Sequence, residues 1–348
     1  MAATTTTTAD PETKKVACVI GGTGFVASRL VKLLLEKGYV VRTTVRDPDN
    51  KKRISHLLPL KELGDLEIFA ADLTDEESFD VPIAGSHFVF LVATPVNFAS
   101  QDPENDMIKP AVQGVENVLK ACVKAKTVKR VVLTSSAAAV TINKLKETDL
   151  VLNEENWTDV EFLTAEKPPT WGYPVSKTLA ERAAWKFAEE NNIDLVTVIP
   201  SLVAGRPLTV DTPSSINLAV SLLTGGYKCA GNEFLINGLQ GMQMLSGSIS
   251  ITHVEDVCRA HVFVAEKESA AGRFICCAAN TSVVELAHFL KARYPQYNVH
   301  TEFGDFPEKA KLRISSEKLV GEGFSFQHGL EEIYDETVEY FKGIGVLK

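Results

Sequence analysis

The sequence predicts an α/β protein with a doubly wound parallel sheet and a smaller C-terminal substrate lobe. Short apolar runs alternate with segments of helical period through the first 200 residues, and those runs are rich in Val and Ile. Proline and glycine interrupt the pattern more often after residue 200, which is where we expect the second lobe.

The elements of the sheet follow in order along the chain. A strand from Val16 to Ile20 leads through a glycine turn into a helix over Phe25 to Lys37. Parallel strands need crossover connections, and the longest predicted crossover helices are Pro103–Lys126 and Trp171–Asn191. Further buried strands are predicted at Tyr39–Val45, Leu66–Ala70, Phe88–Val92, Arg130–Thr134 and Leu195–Pro200.

Residues 201–348 are expected to form mainly the substrate-binding lobe, with some segments returning to the first domain. A buried strand is predicted there at Arg273–Cys277, and helices at Glu255–Glu266, Val283–Arg293 and Glu331–Lys342. Residues 1–13 are rich in threonine and are predicted to be a disordered tail, with a weak organelle-targeting role as the alternative.

The composition restricts the classes of partner. A formal net charge of -9 disfavours nucleic acid, and no apolar run reaches the length of about 18 residues that a membrane span needs. The six cysteines form no C-x-x-C pair and lie mostly in apolar runs, which is typical of reduced thiols in a cytoplasmic protein. We expect a soluble, cytoplasmic protein whose partner is a small molecule.

A glycine-rich turn joins the first strand to the first helix. Gly21, Gly24 and Ala27 form the pattern G-x-x-G-x-x-A, whose small residues let a pyrophosphate approach the helix N-terminus. A glycine turn with a purely structural role would look similar, but its position between a strand and a helix favours a Rossmann-like, dinucleotide-binding domain over residues 14–200. The other residues of this turn that are expected to bind the cofactor are Thr23, Phe25 and Val26.

The end of the second strand predicts which dinucleotide binds. Arg46 stands where NAD-preferring proteins usually have a carboxylate, and a guanidinium pairs well with the 2′-phosphate of NADP. Lys51, Lys52 and Arg53 add positive charge close by. The alternatives are that these cations only solvate a loop, or that Asp47 binds a ribose hydroxyl. The sign of the charge favours NADPH or NADP.

Other strand ends are expected to complete the cofactor cleft. Asp72 and Leu73 follow the third strand and are predicted to contact the adenine. The alternative is that Asp72 caps the helix that follows, and the two roles are compatible. The carboxyl ends of parallel strands line the ligand cleft in such sheets, although ordinary strand-end packing is the alternative. The candidates at the later strand ends are Val92, Ala93, Thr94, Pro95 and Pro200.

A tyrosine and a lysine are spaced for proton transfer. Tyr173 and Lys177 are four residues apart and therefore share one face of a helix. We expect the ammonium to lower the pKa of the phenol from its ordinary value of about 10, so that Tyr173 acts as a general acid. Lys177 is also expected to bind the nicotinamide ribose. Such pairs are common on helix surfaces, so this prediction depends on the other motifs.

A serine after the fifth strand completes the predicted catalytic set. The Ser136 hydroxyl would hydrogen-bond a substrate oxygen where charge develops, and Ser135 is the alternative. The combination of glycine turn, serine, tyrosine and lysine is specific for an oxidoreductase. No histidine or cysteine spacing fits a metal site, so no metal is predicted, and the lack of a G-x-S-x-G elbow disfavours a serine hydrolase.

These motifs, in this order, resemble the plant dihydroflavonol reductase branch of the extended short-chain dehydrogenase/reductases, along nearly the whole chain from about Lys14. Residues 93–100, 102–110, 167–173 and 241–247 carry the resemblance. The sequence departs from the family pattern by Arg53 in place of lysine, Leu91 in place of histidine, His87 in place of a frequent aspartate, and an insertion at Gly226–Gly231.

The resemblance implies NADPH-dependent reduction of an anthocyanidin such as cyanidin to a 2,3-cis-flavan-3-ol such as epicatechin, within flavonoid and proanthocyanidin biosynthesis. The alternatives are a dihydroflavonol 4-reductase or related aromatic carbonyl reductase and, from another class, a non-catalytic NADP-sensing protein. By the same resemblance, Ser136, Tyr173 and Lys177 would carry the chemistry. The NADP site would include Thr23–Val26, Arg46, Arg53 and Val92–Pro95.

Overall fold

The computed structural model describes residues 14–144, 148–223 and 232–347. Its centre is a seven-stranded parallel sheet with helices on both faces, so the predicted doubly wound fold is confirmed. The predicted tail over residues 1–13 and the insertion at Gly226–Gly231 lie outside the described residues.

The strands of the central sheet are β1 to β5, β7 and β10, which are joined in the order β10-β7-β5-β4-β1-β2-β3. The remaining short strands form a three-stranded sheet, β11-β9-β8, and a two-stranded one, β12-β6. In chain order the strands are β1 (Val16–Ile20), β2 (Val40–Val45), β3 (Leu66–Ala70), β4 (Phe88–Leu91), β5 (Arg130–Thr134), β6 (Leu150–Leu152), β7 (Leu195–Pro200), β8 (Leu202–Ala204), β9 (Ile249–His253), β10 (Gly272–Cys276), β11 (Ala279–Thr281) and β12 (Leu312–Ile314).

The helices connect and cover these strands. Short 3-10 turns occur at Leu58–Glu62, Glu76–Phe79 and Ala137–Ala139, and a π-helical turn at Glu104–Ile108. The α-helices are α1 (Phe25–Glu36), α2 (Lys51–Ile54), α3 (Asp80–Ile83), α4 (Lys109–Ala125), α5 (Val160–Glu166), α6 (Gly172–Asn191), α7 (Ser214–Ala219), α8 (Asn232–Ser246), α9 (Val254–Glu266), α10 (Val283–Arg293), α11 (Glu317–Gly321) and α12 (Leu330–Gly343). No helix within the described residues has the length and apolarity needed to cross a membrane.

The direction of winding changes beside β1. The chain goes from β1 outward to β2 and β3, and then crosses back to β4 on the other side of β1. Ligands bind at the carboxyl ends of the strands at such a switch point. The ends of β1 and β4 therefore mark the candidate site.

Two apolar layers hold the helices to the sheet. On one face, Leu30 and Leu34 of α1 pack in one buried cluster with Val257 of α9. On the other face, Leu119 of α4 and Ala184 of α6 pack with side chains of β1, β4 and β5. Five described cysteines are buried and form no disulfide, as their apolar surroundings predict: Cys18, Cys122, Cys258, Cys276 and Cys277.

The C-terminal residues contribute to both parts of the molecule. Strand β10 pairs in parallel with β7 at the edge of the central sheet, and α9 packs against α1. A separate apolar cluster, which includes Leu222, Ile249 and Tyr334, is the core of the smaller lobe.

The predicted helix over Pro103–Lys126 is interrupted. A π-helical turn occupies Glu104–Ile108, and the regular helix α4 begins at Lys109. Pro110 lies in the first turn of α4 and has no amide hydrogen to donate to the preceding turn. The change in helical register at this point follows from that missing donor.

Candidate active site

The glycine turn packs closely against two strand ends. Gly21 has a φ of +92°, and its N–H donates to the hydroxyl of Thr44 at 3.1 Å. A Cβ atom on Gly21 would lie 2.7 Å from the Cβ of Ala93, and one on Gly22 would lie 2.2 Å from Oγ1 of Thr43. Larger residues at these two positions would therefore displace the ends of β2 or β4.

The helix that follows the turn begins with uncapped amides. Gly24 is the N-cap of α1, and no side chain accepts a hydrogen bond from the first helical turn. Thr23, Phe25 and Val26 are half-buried around it, whereas Gly24 is exposed. Free amide hydrogens at a helix N-terminus fit the pyrophosphate of a dinucleotide. This part of the chain could thus hold the predicted cofactor.

The cations that were predicted to select NADP are exposed. Arg46 follows β2 directly, and Arg53 lies in α2. Within the described part of the chain, the Arg46 side chain makes no hydrogen bond or ion pair, although its charge contributes to lowering the pKa of Asp72. The Asp47 carboxylate accepts backbone hydrogen bonds from Asp49 and from residue 50, at 3.0 and 3.2 Å. The Arg46 side chain is therefore available to a ligand, whereas the Asp47 carboxylate is already hydrogen-bonded within a turn.

The Asp72 side chain, in the turn after β3, is hydrogen-bonded to a neighbouring residue of the same turn. The Asp72 carboxylate accepts from the amide and the hydroxyl of Thr74 at 2.9 and 2.7 Å, and these bonds lower its pKa. The 3-10 turn that follows has Asp75 at its N-cap, so the alternative of Asp72 as that helix cap is wrong. Leu73 packs against Gly114 of α4. Contact of Asp72 and Leu73 with an adenine stays a prediction.

The ends of β4 and β7 lie at the same edge of the sheet. The Ala93 amide donates to the Ile20 carbonyl at 3.0 Å, which continues the pairing of β4 with β1 beyond Leu91. Pro200 is buried in the last position of β7. The half-buried residues beside the glycine turn are Val92, Ala93, Thr94 and Pro95.

The side chains of the predicted catalytic serine and tyrosine lie next to each other. Ser136 follows β5 in an extended conformation, and Tyr173 lies in the first turn of α6. Burial raises the pKa of the Tyr173 phenol, and a side-chain hydrogen bond with Ser136 opposes this rise. The expectation that Lys177 lowers the pKa of Tyr173 is wrong for this structure, because burial dominates and the opposing group is Ser136.

Lys177 is buried one helical turn beyond Tyr173. Its Nζ donates to the backbone carbonyl of Thr134 at 2.7 Å. Burial lowers the pKa of Lys177 to about 8, and the negative charge of Glu181 opposes this decrease. The ammonium therefore stands between the end of β5 and a buried carboxylate.

The structure separates the roles of the two adjacent serines. The Ser135 hydroxyl donates to the buried carboxylate of Glu181 at 2.6 Å, whereas Ser136 faces Tyr173. Glu181 was not predicted from the sequence, although its i+4 spacing from Lys177 places it on the same helix face. Arg273 was not predicted either, although its position in an apolar strand implies a buried partner.

An aromatic residue from the loop after β4 packs against the catalytic tyrosine candidate. The ring centroids of Phe98 and Tyr173 lie 5.3 Å apart, and Phe98 is 49% exposed. A Cβ atom on Gly172 would lie only 2.3 Å from the Cβ of Pro103, so the start of α6 is packed tightly against the end of this loop. A flat aromatic molecule could bind beside Tyr173 by replacing part of this contact.

A histidine cluster lies beside Arg29 of α1, which pairs with Glu255 and Glu336 at 3.2 and 3.3 Å. His253, Glu255 and His328 are close enough for their side chains to approach one metal ion. However, Nε2 of His253 is bonded to Glu336, its Nδ1 accepts from the Glu255 amide at 3.2 Å, and its ring stacks on His328 at 4.0 Å. This arrangement already uses both ring nitrogens of His253.

Comparison with known proteins relates this geometry to a family. The model of the NAD dependent epimerase/dehydratase family matches residues 17–277. The anthocyanidin reductase ((2S)-flavan-3-ol-forming) of Vitis vinifera is 75% identical over 341 residues, which are 98% of this chain and 99% of that protein. The dihydroflavonol 4-reductase of Arabidopsis thaliana is 43% identical over 336 residues, which are 96% of this chain and 84% of that protein.

A solved structure with a bound cofactor is also similar. The yeast methylglyoxal/isovaleraldehyde reductase Gre2, complexed with NADPH, has a TM-score of 0.78 and 27% sequence identity. The match covers 95% of this chain and 100% of that one.

Proposed function

Since the chain belongs to the NAD dependent epimerase/dehydratase family and, within it, to the plant reductases that include anthocyanidin reductase, we propose that it reduces anthocyanidins to flavan-3-ols with NADPH. The observation that carries this proposal is the 75% identity over 98% of the chain to the Vitis anthocyanidin reductase. The identity to the Arabidopsis dihydroflavonol 4-reductase is 43%, which favours the anthocyanidin as substrate.

The cofactor is NADPH. The similar Gre2 structure contains NADPH, and the exposed guanidinium of Arg46 fits the 2′-phosphate that distinguishes it from NADH. In this proposal the glycine turn and the first amides of α1 bind the pyrophosphate, and residues 14–200 form the dinucleotide-binding domain. Residues 201–348 supply most of the substrate lobe, with β10 and α9 joined to the first domain.

The balance of the reaction defines what the protein contributes. A flavylium cation becomes a neutral flavan-3-ol by gaining two hydrides and one proton, so each product molecule consumes two NADPH. Bound NADPH supplies hydride. The protein supplies the proton, orients the flat cation and excludes water from it.

Tyr173 is the proposed proton donor. Burial raises the pKa of its phenol, so Tyr173 enters the reaction with its proton, and the hydrogen bond with Ser136 opposes this rise and favours release of the proton. Ser136 hydrogen-bonds the phenol and is placed to stabilise the phenolate left after proton transfer. Lys177 lies one turn further along α6, and in this proposal its ammonium binds the nicotinamide ribose and so orients the cofactor toward Tyr173.

The substrate is a small flavonoid, and the place of action is proposed to be the cytoplasm. Phe98 offers a partly exposed ring beside Tyr173, which suits a planar aromatic ligand. The five buried, unpaired cysteines among the described residues fit a reducing compartment.

A product assay tests the proposal. Purified protein is incubated with NADPH and either cyanidin or dihydroquercetin, and products are separated on a chiral column while NADPH oxidation is followed. We expect cyanidin to give a flavan-3-ol with two NADPH consumed per product. Consumption of dihydroquercetin alone, with one NADPH per product, would instead identify a dihydroflavonol 4-reductase.

The same column determines the configuration at carbon 2. Epicatechin has the 2R configuration, whereas the name of the Vitis relative specifies a 2S product. A 2R,3R product would match the expectation from the family resemblance, and a 2S product would replace it with the configuration of that relative.

A further inference from the structure

A buried ion pair lies directly behind the catalytic candidates. Glu181 is one turn beyond Lys177 on α6 and is 1% exposed, and Arg273 of β10 is 7% exposed. The guanidinium donates to the Glu181 carboxylate from Nε at 2.7 Å and from Nη2 at 3.3 Å. Removing two charges from water is unfavourable unless further contacts compensate, so the other partners of this pair are informative.

The Arg273 guanidinium also contacts two backbone carbonyls and an aromatic ring. Its Nη1 donates to the backbone carbonyls of Glu154 and Asn156 at 2.6 and 2.9 Å. The guanidinium carbon lies 3.6 Å from the centroid of the Trp157 ring. These contacts fix the cation, and the cation in turn fixes Glu181.

Glu181 holds the strand end that carries Ser136. The Ser135 hydroxyl donates to Glu181, and the Ser135 amide donates to the Val198 carbonyl at 2.8 Å. Successive side chains of an extended chain point to opposite sides, and Ser136 is extended. When Ser135 faces Glu181, Ser136 is therefore directed toward Tyr173.

Glu181 also acts on Lys177 through its charge. The two ionisable side chains on the Lys177 face of α6 are Tyr173 and Glu181, and the contact from β5 is the uncharged carbonyl of Thr134. A cavity of about 10 Å³ beside Lys177 contains no other charged residue among the described residues that line it. The charge of Glu181 is thus the main opposition to the loss of the Lys177 proton.

We propose that Glu181, held in place by Arg273, is a positioning residue for this reaction. It orients the Ser135–Ser136 segment and keeps a negative charge beside Lys177, and it acts on the chemistry only through these neighbours. The inference rests on the proposed function for the identity of the reaction, but its structural part depends only on the contacts just described.

The test compares two double variants, because a single change would leave one buried charge without its partner. Glu181→Gln with Arg273→Met removes both charges but leaves an acceptor for Ser135. Glu181→Leu with Arg273→Met removes the acceptor as well. The control is Glu189→Gln, the same chemical change on the exposed side of α6.

We expect both double variants to bind NADPH as the wild type does. The leucine variant should lose roughly 10- to 100-fold in kcat on cyanidin with little change in KM, because Ser136 is no longer oriented. The glutamine variant should lose less at neutral pH, and its kcat should fall at lower pH than that of the wild type. A folded leucine variant with the kcat and pH profile of the wild type would overturn the proposal.

A second measurement needs no substrate. The titration of Lys177 in the full-length protein, followed by NMR of labelled lysine side chains, should move to lower pH in the glutamine variant and stay unchanged in Glu189→Gln. An unchanged Lys177 titration would overturn the electrostatic part of the inference. If the wild type does not reduce cyanidin, the proposed function fails while this titration still decides the role of Glu181.

Discussion

The proposed dinucleotide edge and the proposed catalytic centre lie at the same end of one sheet but are built differently. At the dinucleotide edge, backbone amides and the exposed side chain of Arg46 face outward, and close packing around Gly21 fixes the turn. At the catalytic centre, Lys177 and Glu181 are buried and bonded to residues far away in sequence. The first region depends on shape and the second on buried polar contacts, so mutations should separate binding from turnover.

The largest separation is expected for Tyr173→Phe. Loss of the phenolic proton should lower kcat by roughly 100- to 10,000-fold, because proton donation by a positioned acid contributes about that much. NADPH affinity, measured by fluorescence titration, should change by less than about twofold, since the glycine turn is untouched. Tyr340→Phe, whose hydroxyl bonds Thr212 in the smaller lobe, is the matched control. Equal turnover in the two variants would remove Tyr173 from its role.

The opposite separation is expected for Gly21→Ala. The added Cβ meets Ala93 at 2.7 Å, and the φ of +92° disfavours alanine. We expect NADPH affinity to fall about tenfold or more and the free energy of unfolding to fall by about 1–3 kcal/mol. Gly321→Ala in α11, where a Cβ would meet nothing within 4 Å, should change neither quantity appreciably. Unaltered NADPH binding in Gly21→Ala would contradict the role of the turn.

A smaller effect, confined to one cofactor, is expected for Arg46→Ser. One charge-assisted contact to the 2′-phosphate is lost, so the Kd for NADPH should rise about tenfold while that for NADH stays the same. Arg313→Ser, an exposed change on β12, serves as the control. An equal loss of affinity for NADPH and NADH would show that Arg46 does not recognise the 2′-phosphate.

Up to a pH of about 8, the smallest effect is a pH dependence of kcat that belongs to the catalytic centre alone. Below a pH of about 8 Lys177 is mainly protonated, and above it the ammonium is lost. Because burial raises the pKa of Tyr173, the phenol keeps its proton over this interval. We expect kcat to be about half-maximal near pH 8 and to fall about tenfold for each further unit. If NADPH affinity fell over the same pH range as kcat, the pH dependence would not belong to the catalytic centre alone, which would contradict this prediction.

The sequence predicts the two regions unequally well. The glycine turn, Arg46 and the Tyr173, Lys177 pair are local patterns. The central strands follow from apolar runs whose predicted ends lie within one residue of the observed ends. The short strands of the smaller lobe, such as β8 and β11, have no periodic pattern long enough to be recognised.

The missed features all depend on contacts between distant segments. The pKa of Tyr173 is set by burial, and the Lys177 ammonium is bonded to the Thr134 carbonyl, which no spacing within α6 could show. Glu181 and Arg273 are 92 positions apart and meet only when β10 joins the sheet beside β7. Spacing along one helix predicts which of its side chains share a face. The residues that contact that face come from distant segments and are known only from the fold.

An isotope label can follow the proposed transfer of hydride from the cofactor to the flavan-3-ol. The protein is given cyanidin and NADPH that carries deuterium at both positions of nicotinamide carbon 4, and the mass of the flavan-3-ol is measured. We expect a product that is heavier by the deuterium received from the nicotinamide. A flavan-3-ol without deuterium, or the absence of any flavan-3-ol, would contradict it.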